Sequence, residues 1–173
     1  MKKFLTLAAV LIIGFSANKA KAQATATLNV TLAAVQSITV AGPQATVTLP
    51  FTSAADYNAG VTLAQPDHIT ATSTGQFFIR VKADGPLTRV GGGTIPLNTI
   101  SLTPTAGTVA IPTAPTFTPI TQLSTTDQEL VRSTGGCVGS KINVSYRASG
   151  GAPYLDKVAG TYTALITYTI AAL

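Results

Sequence analysis

The chain has 173 residues, with one cysteine, one histidine and only 10% charged residues. A single cysteine excludes an intramolecular disulfide, and a single histidine leaves little for nucleophilic or metal chemistry, which needs several converging groups. The formal charge of +5 rests on the first 21 residues: without Lys2, Lys3, Lys19 and Lys21, seven basic side chains face six acids. No basic cluster is left to neutralise nucleic-acid phosphates.

Lys2 and Lys3 precede the apolar run Phe4 to Phe15, and Ala20-Lys21-Ala22 supplies a small-x-small cleavage site. That is the pattern of a Sec-type secretory signal over residues 1–22. Its apolar stretch is shorter than the roughly 20 residues that a membrane-spanning helix needs. Residues 23–173 are then a single domain exported to the periplasm, the cell surface or the medium, with no membrane span of its own.

The exported part opens with Thr25 to Leu32, where Ala26, Leu28, Val30 and Leu32 alternate with polar residues. Period-two alternation is the mark of a strand with one buried face. Residues 25–32 are either this domain's own first strand or, within 23–33, a strand free to enter another molecule. Further strands are expected near 35–40, 45–49, 67–73, 76–83, 98–102 and 107–111. Ala41-Gly42-Pro43, Asp84-Gly85-Pro86, Gly91-Gly92-Gly93 and Gly150-Gly151 mark turns between strands. Residues 103–119 carry Pro104, Pro112, Pro115 and Pro119, which lack the N–H a ladder needs, so an edge strand or extended loop is expected there. Thr126-Asp127-Gln128-Glu129 has capping-box spacing and predicts the one helical turn, with Gly135-Gly136 to stop it.

Two long strands close the chain. In the first, Lys141 to Ala148, Ile142, Val144, Tyr146 and Ala148 point inward. In the second, Gly160 leads into Tyr162, Ala164, Ile166, Tyr168 and Ile170 on one face, with threonines on the other. Threonine's branched side chain suits the pleated surface. Many short strands with Gly/Pro turns define an all-β class and favour an antiparallel β-sandwich.

No residue is assigned a catalytic, cofactor or metal role, and the chain is not expected to be an enzyme. His68 stands at an expected strand start, where a solvated or turn-bonded ring is ordinary. Cys137 reads as a buried thiol, the acids are scattered singly, and the glycine run 91–93 lacks a phosphate loop's ending. Tyr57 and Tyr154, in loop-like contexts, are the only aromatic candidates for stacking on a sugar. They support an alternative reading as a monomeric secreted module that binds carbohydrate or a cell-surface polymer.

The stretch Thr25-Ala-Thr-Leu-Asn-Val-Thr-Leu running into Val35-Gln-Ser-Ile-Thr-Val40 resembles the opening of chaperone–usher pilins of the spore-coat-protein-U type. So do His68-Ile-Thr-Ala-Thr-Ser followed by Gln76-Phe-Phe-Ile-Arg-Val-Lys-Ala-Asp-Gly85, and the closing Gly160-Thr-Tyr-Thr-Ala-Leu-Ile-Thr-Tyr-Thr-Ile170. The family's disulfide cysteines are missing, and Ala172 replaces its penultimate aromatic residue. The resemblance implies an immunoglobulin-like sandwich and a structural role in a bacterial surface fimbrium. It also implies self-association into polymers by strand donation, with a periplasmic chaperone and an outer-membrane usher as partners.

Overall fold

The computed structural model describes residues 22–173, so the signal-peptide reading lies outside the described residues except at Ala22. The chain divides into two compact units, residues 1–32 and 33–173. Of the first, residues 22–32 are described: they carry no ladder hydrogen bonds, and Leu28, Val30 and Leu32 are 87%, 74% and 88% exposed.

The second unit is an antiparallel β-sandwich of two four-stranded sheets. In one, β1 (Gln36–Val40), β2 (Val61–Ser73), β9 (Cys137–Ala148) and β6 (Ile100–Ala106) follow in that order. The other runs β10 (Ile166–Ala172), β3 (Phe77–Ala83), β8 (Gln128–Ser133) and β7 (Thr116–Phe117). A small hairpin, β4 (Leu87–Thr88) and β5 (Thr94–Ile95), turns through the three glycines 91–93, all at positive φ.

Strict alternation builds the core. Phe77, Ile79, Val81 and Ala83 of β3 are buried, as are Ile142, Val144, Tyr146 and Ala148 of β9. These inner rows face each other between the layers, as in any aligned sandwich. Pro104 lies in β6, an edge strand, where a missing N–H costs no central ladder bond.

Three expectations are corrected. Residues 126–129 form no helical turn. Gln128 and Glu129 begin β8, because Leu130 and Val131 are needed in the core and β3 offers a full ladder. The helix is instead α1 (Ala54–Ala59), whose N-cap Ser53 accepts from the Asp56 amide while the Asp56 carboxylate accepts from the Ser53 amide. That capping box uses Asp where the usual signature has Glu. Residues 45–49 and 107–111 are not strands: bends fall at 45–46 and 108–109.

Candidate functional site

The two sides of the sandwich are finished differently. On the side of β6 and β7, residues 107–123, which include β7, seal the layers: Ile120 exchanges both backbone hydrogen bonds with Leu102, and the Leu123 amide donates to the Ile100 carbonyl. Gly107 and Val109 likewise bond to Lys141 of β9. The proline-rich run 103–119, expected as an edge strand or extended loop, is both: it holds the end of edge strand β6, the edge strand β7 and the loop between them. Such a cover is one of the means by which proteins block strand addition.

The opposite side is open. β1 and β10 are the outermost strands of their sheets, with Cα atoms within 8 Å of each other, and each has a ladder partner on one side only among the described residues. Ile166, Tyr168 and Ile170 point inward from β10, yet each is only partly buried, unlike the inner row of β3 beside them. Ile38 of β1 is in the same condition. After β1 the chain runs on as residues 46–51, in which Val47, Leu49 and Phe51 alternate inward and are partly covered. This stretch has the periodicity of a strand but no ladder partner among the described residues. The expected strand at 45–49 is thus a segment with a strand's alternation and no ladder among the described residues. On this side the edge backbones are free and the apolar row is only partly covered.

The expected C-terminal row is split. Ile166, Tyr168 and Ile170 lie in the strand, whereas Gly160, Tyr162 and Ala164 precede it. Tyr162 donates from its hydroxyl to the Val158 carbonyl, and Thr163 bridges Thr88 of the β4 hairpin. Ala26, Leu28, Val30 and Leu32 belong to the first unit and are exposed.

His68 is not at a strand start and is not solvated. It lies inside β2, 2% exposed, because a bulge breaks the register between Gln65 and Ile69 and puts Asp67 at φ +50°. A bulge re-aims the following side chain, and here it turns the ring into the core beside Ile69. The Asp67 carboxylate meanwhile accepts from the Thr108 amide and hydroxyl at 2.9 and 2.6 Å, which holds its acid below the usual carboxylate range. The sequence carried a signal for this inversion: Pro66 interrupts an otherwise alternating run and cannot join a ladder.

Burial pushes the pKa of His68 below its ordinary value near 6.5. Folded protein then binds fewer protons than unfolded chain, so stability is complete above about pH 6.5 and declines as pH falls toward the folded value. His68→Gln should flatten that limb in urea denaturation measured between pH 7.5 and 5. The carboxylates Asp56, Asp67 and Glu129, all shifted downward by hydrogen bonds, contribute their own loss only at lower pH.

The other candidates are placed plainly. Cys137 is a buried free thiol donating to the Ala71 carbonyl. Tyr154 offers no sugar-stacking face: it is buried, stacked on Phe51 at 4.6 Å, with its hydroxyl bonded to Thr99. Tyr57 is partly exposed and meets Phe51 edge-on. No group of three His, Cys, Asp or Glu side chains is gathered among the described residues. Neither protein-family models nor curated proteins yield a match to the chain.

Proposed function

We propose that the chain is a non-catalytic, exported structural subunit, pilin-like or coat-like, that assembles into a surface fibre by giving residues 25–32 to the open edge of a second copy. The observation that carries this reading is the asymmetry of the sandwich: one side is sealed by residues 107–123, and on the other β10 is paired on one side only and residues 46–51 have no ladder partner among the described residues, over partly covered apolar side chains. The chain also carries an exposed segment with the matching period. Full burial stabilises Leu28, Val30 and Leu32 by about 1.5–3 kcal/mol each, before the cost of ordering the strand. Backbone hydrogen bonds supply affinity, and side-chain pockets set register.

Self-insertion is disfavoured by the connection. Val35 is pinned to Thr74 through both its amide and its carbonyl, at 3.0 Å each. Only Ala33 and Ala34 are left to reverse the chain. Two-residue hairpins need positive φ at their central residues and therefore favour glycine, asparagine or aspartate. A donor that cannot return to its own edge goes to another copy. Such a contact is heterologous, so it does not close and yields filaments. Until a neighbour arrives, the edge needs a cover, which is the part a chaperone would take.

The test is size-exclusion chromatography with light scattering and negative-stain microscopy, on the protein with and without residues 25–32. Filaments that disappear on deletion are expected. A stable monomer with the segment present, and an unfolded chain without it, would make these residues an ordinary first strand.

A further inference from the structure

Four side chains from separate stretches of the chain form a single file of hydrogen bonds through the interior, ending at the open edge. The direction of each proton follows from the fixed end. Gln44 donates from Nε2 to the Pro66 carbonyl at 2.8 Å, which turns its Oε1 toward His68 Nδ1 at 3.0 Å. A carbonyl oxygen only accepts, so Nδ1 carries the ring hydrogen. His68 Nε2 is then an acceptor, and the Tyr146 hydroxyl donates to it at 2.7 Å. The Tyr146 oxygen is left to accept from Tyr168 of β10. Thus the loop after β1, then β2, β9 and β10 are joined, and the file ties one sheet to the edge strand of the other.

Every member is satisfied in one direction only. A second proton on His68 turns Nε2 into a donor, so Tyr146 must swing its hydrogen toward Tyr168. Tyr168 must then release its own hydrogen from Tyr146, and no other partner for it exists among the described residues. The new charge also finds no counter-ion among the described residues. The groups facing the ring are Tyr146 from β9, Tyr168 from β10 and Gln44 from the loop after β1. Asp67 of β2 is turned to Thr108, and Lys141 of β9 donates to Thr70. A buried charge without a partner is costly, and a reversed file leaves its last member unsatisfied.

We propose that this file is an acid-released latch: protonation of His68 reverses it, frees the Tyr168 hydroxyl and loosens β10 along the edge that receives a neighbour's strand. The latch itself stands on the hydrogen-bond geometry; its bearing on assembly rests on the strand-donation reading.

His68 is the one histidine of the chain, so its ring carbons give an unambiguous NMR signal. We expect a neutral Nδ1–H ring at pH 7.5. As the ring takes its proton, protection of the β10 amides against hydrogen exchange should fall at least ten-fold, corrected for intrinsic exchange, while β9 keeps its protection. His68→Gln retains an acceptor and a donor and should remove this dependence. Should that variant fail to fold, Gln44→Glu, which sets a carboxylate against Nδ1, should move the ring titration and the loss of β10 protection upward in pH together. Protection of β10 that stays constant while the ring titrates, or that changes identically in His68→Gln, overturns the latch. A synthetic peptide of residues 25–32 separates the two ideas. Capture that rises with acid in the wild type and not in His68→Gln supports both. A peptide never captured, with β10 still following His68, sinks strand donation and leaves the latch standing.

Discussion

Replacing Phe77 by alanine will remove about 3–5 kcal/mol of stability, read as a lower urea midpoint with an unchanged slope. Phe77 is among the largest fully buried side chains and lies in β3, where it is paired with Ser133 on one side and Ala172 on the other. A domain of this kind holds only about 5–15 kcal/mol in total, so one such cavity takes a large share. Ile170→Ala, in the edge strand itself, should cost distinctly less in the isolated protein because Ile170 is only partly buried. In assembled material that difference should shrink, since a donated strand would complete the cover over Ile170. The same reasoning separates two sites for an introduced charge. At a fully buried position such as Ile142 an aspartate unfolds the domain, whereas at Ile166 it reaches the open edge and finds water.

The second large effect concerns assembly. Leu28→Asp and Val30→Asp should leave the melting temperature of the isolated protein unchanged, because both side chains are exposed. They should nevertheless abolish filaments, since a carboxylate carried into an apolar groove loses several kcal/mol of hydration without a compensating partner. Light scattering on concentrated samples reads the outcome. Filaments formed at the wild-type rate by both variants would mean that residues 25–32 do not enter the groove.

The sandwich was legible because alternation dictates which residues must leave water. Ile142 to Ala148 and Phe77 to Ala83 announce their inner faces without ambiguity, and the structure buries those rows. What escaped was whatever depends on a partner strand. Residues 45–49 have a strand's pattern and no ladder, since period-two alternation reports burial and says nothing about pairing. Gln128 and Glu129 carry a capping-box spacing that tertiary packing overrides, because Leu130 and Val131 are worth more in the core than a surface turn of helix. His68 was missed for another reason. Its inward turn comes from the bulge at Pro66 to Asp67, and one inserted irregularity flips a side chain to the other face. The open edge as a whole was only half legible: its alternating stretches could be read, but their incomplete cover is a property of the assembled sheets.

The order of strands also governs when folding can finish. Apart from the β4–β5 hairpin and the short β7–β8 pairing, each ladder of the core joins distant parts of the chain: β2 to β9, β6 to β9, β3 to β10. The last strand, β10, closes beside β3, with Ile170 opposite Ile79. One sheet waits for β9 and the other for β10, so a chain emerging from its N-terminus keeps its first half unfinished through most of synthesis. Pairings of such long separation are also slow, with sandwiches typically folding over milliseconds to seconds. Timing, as much as geometry, therefore leaves strand edges exposed while a chain of this topology folds.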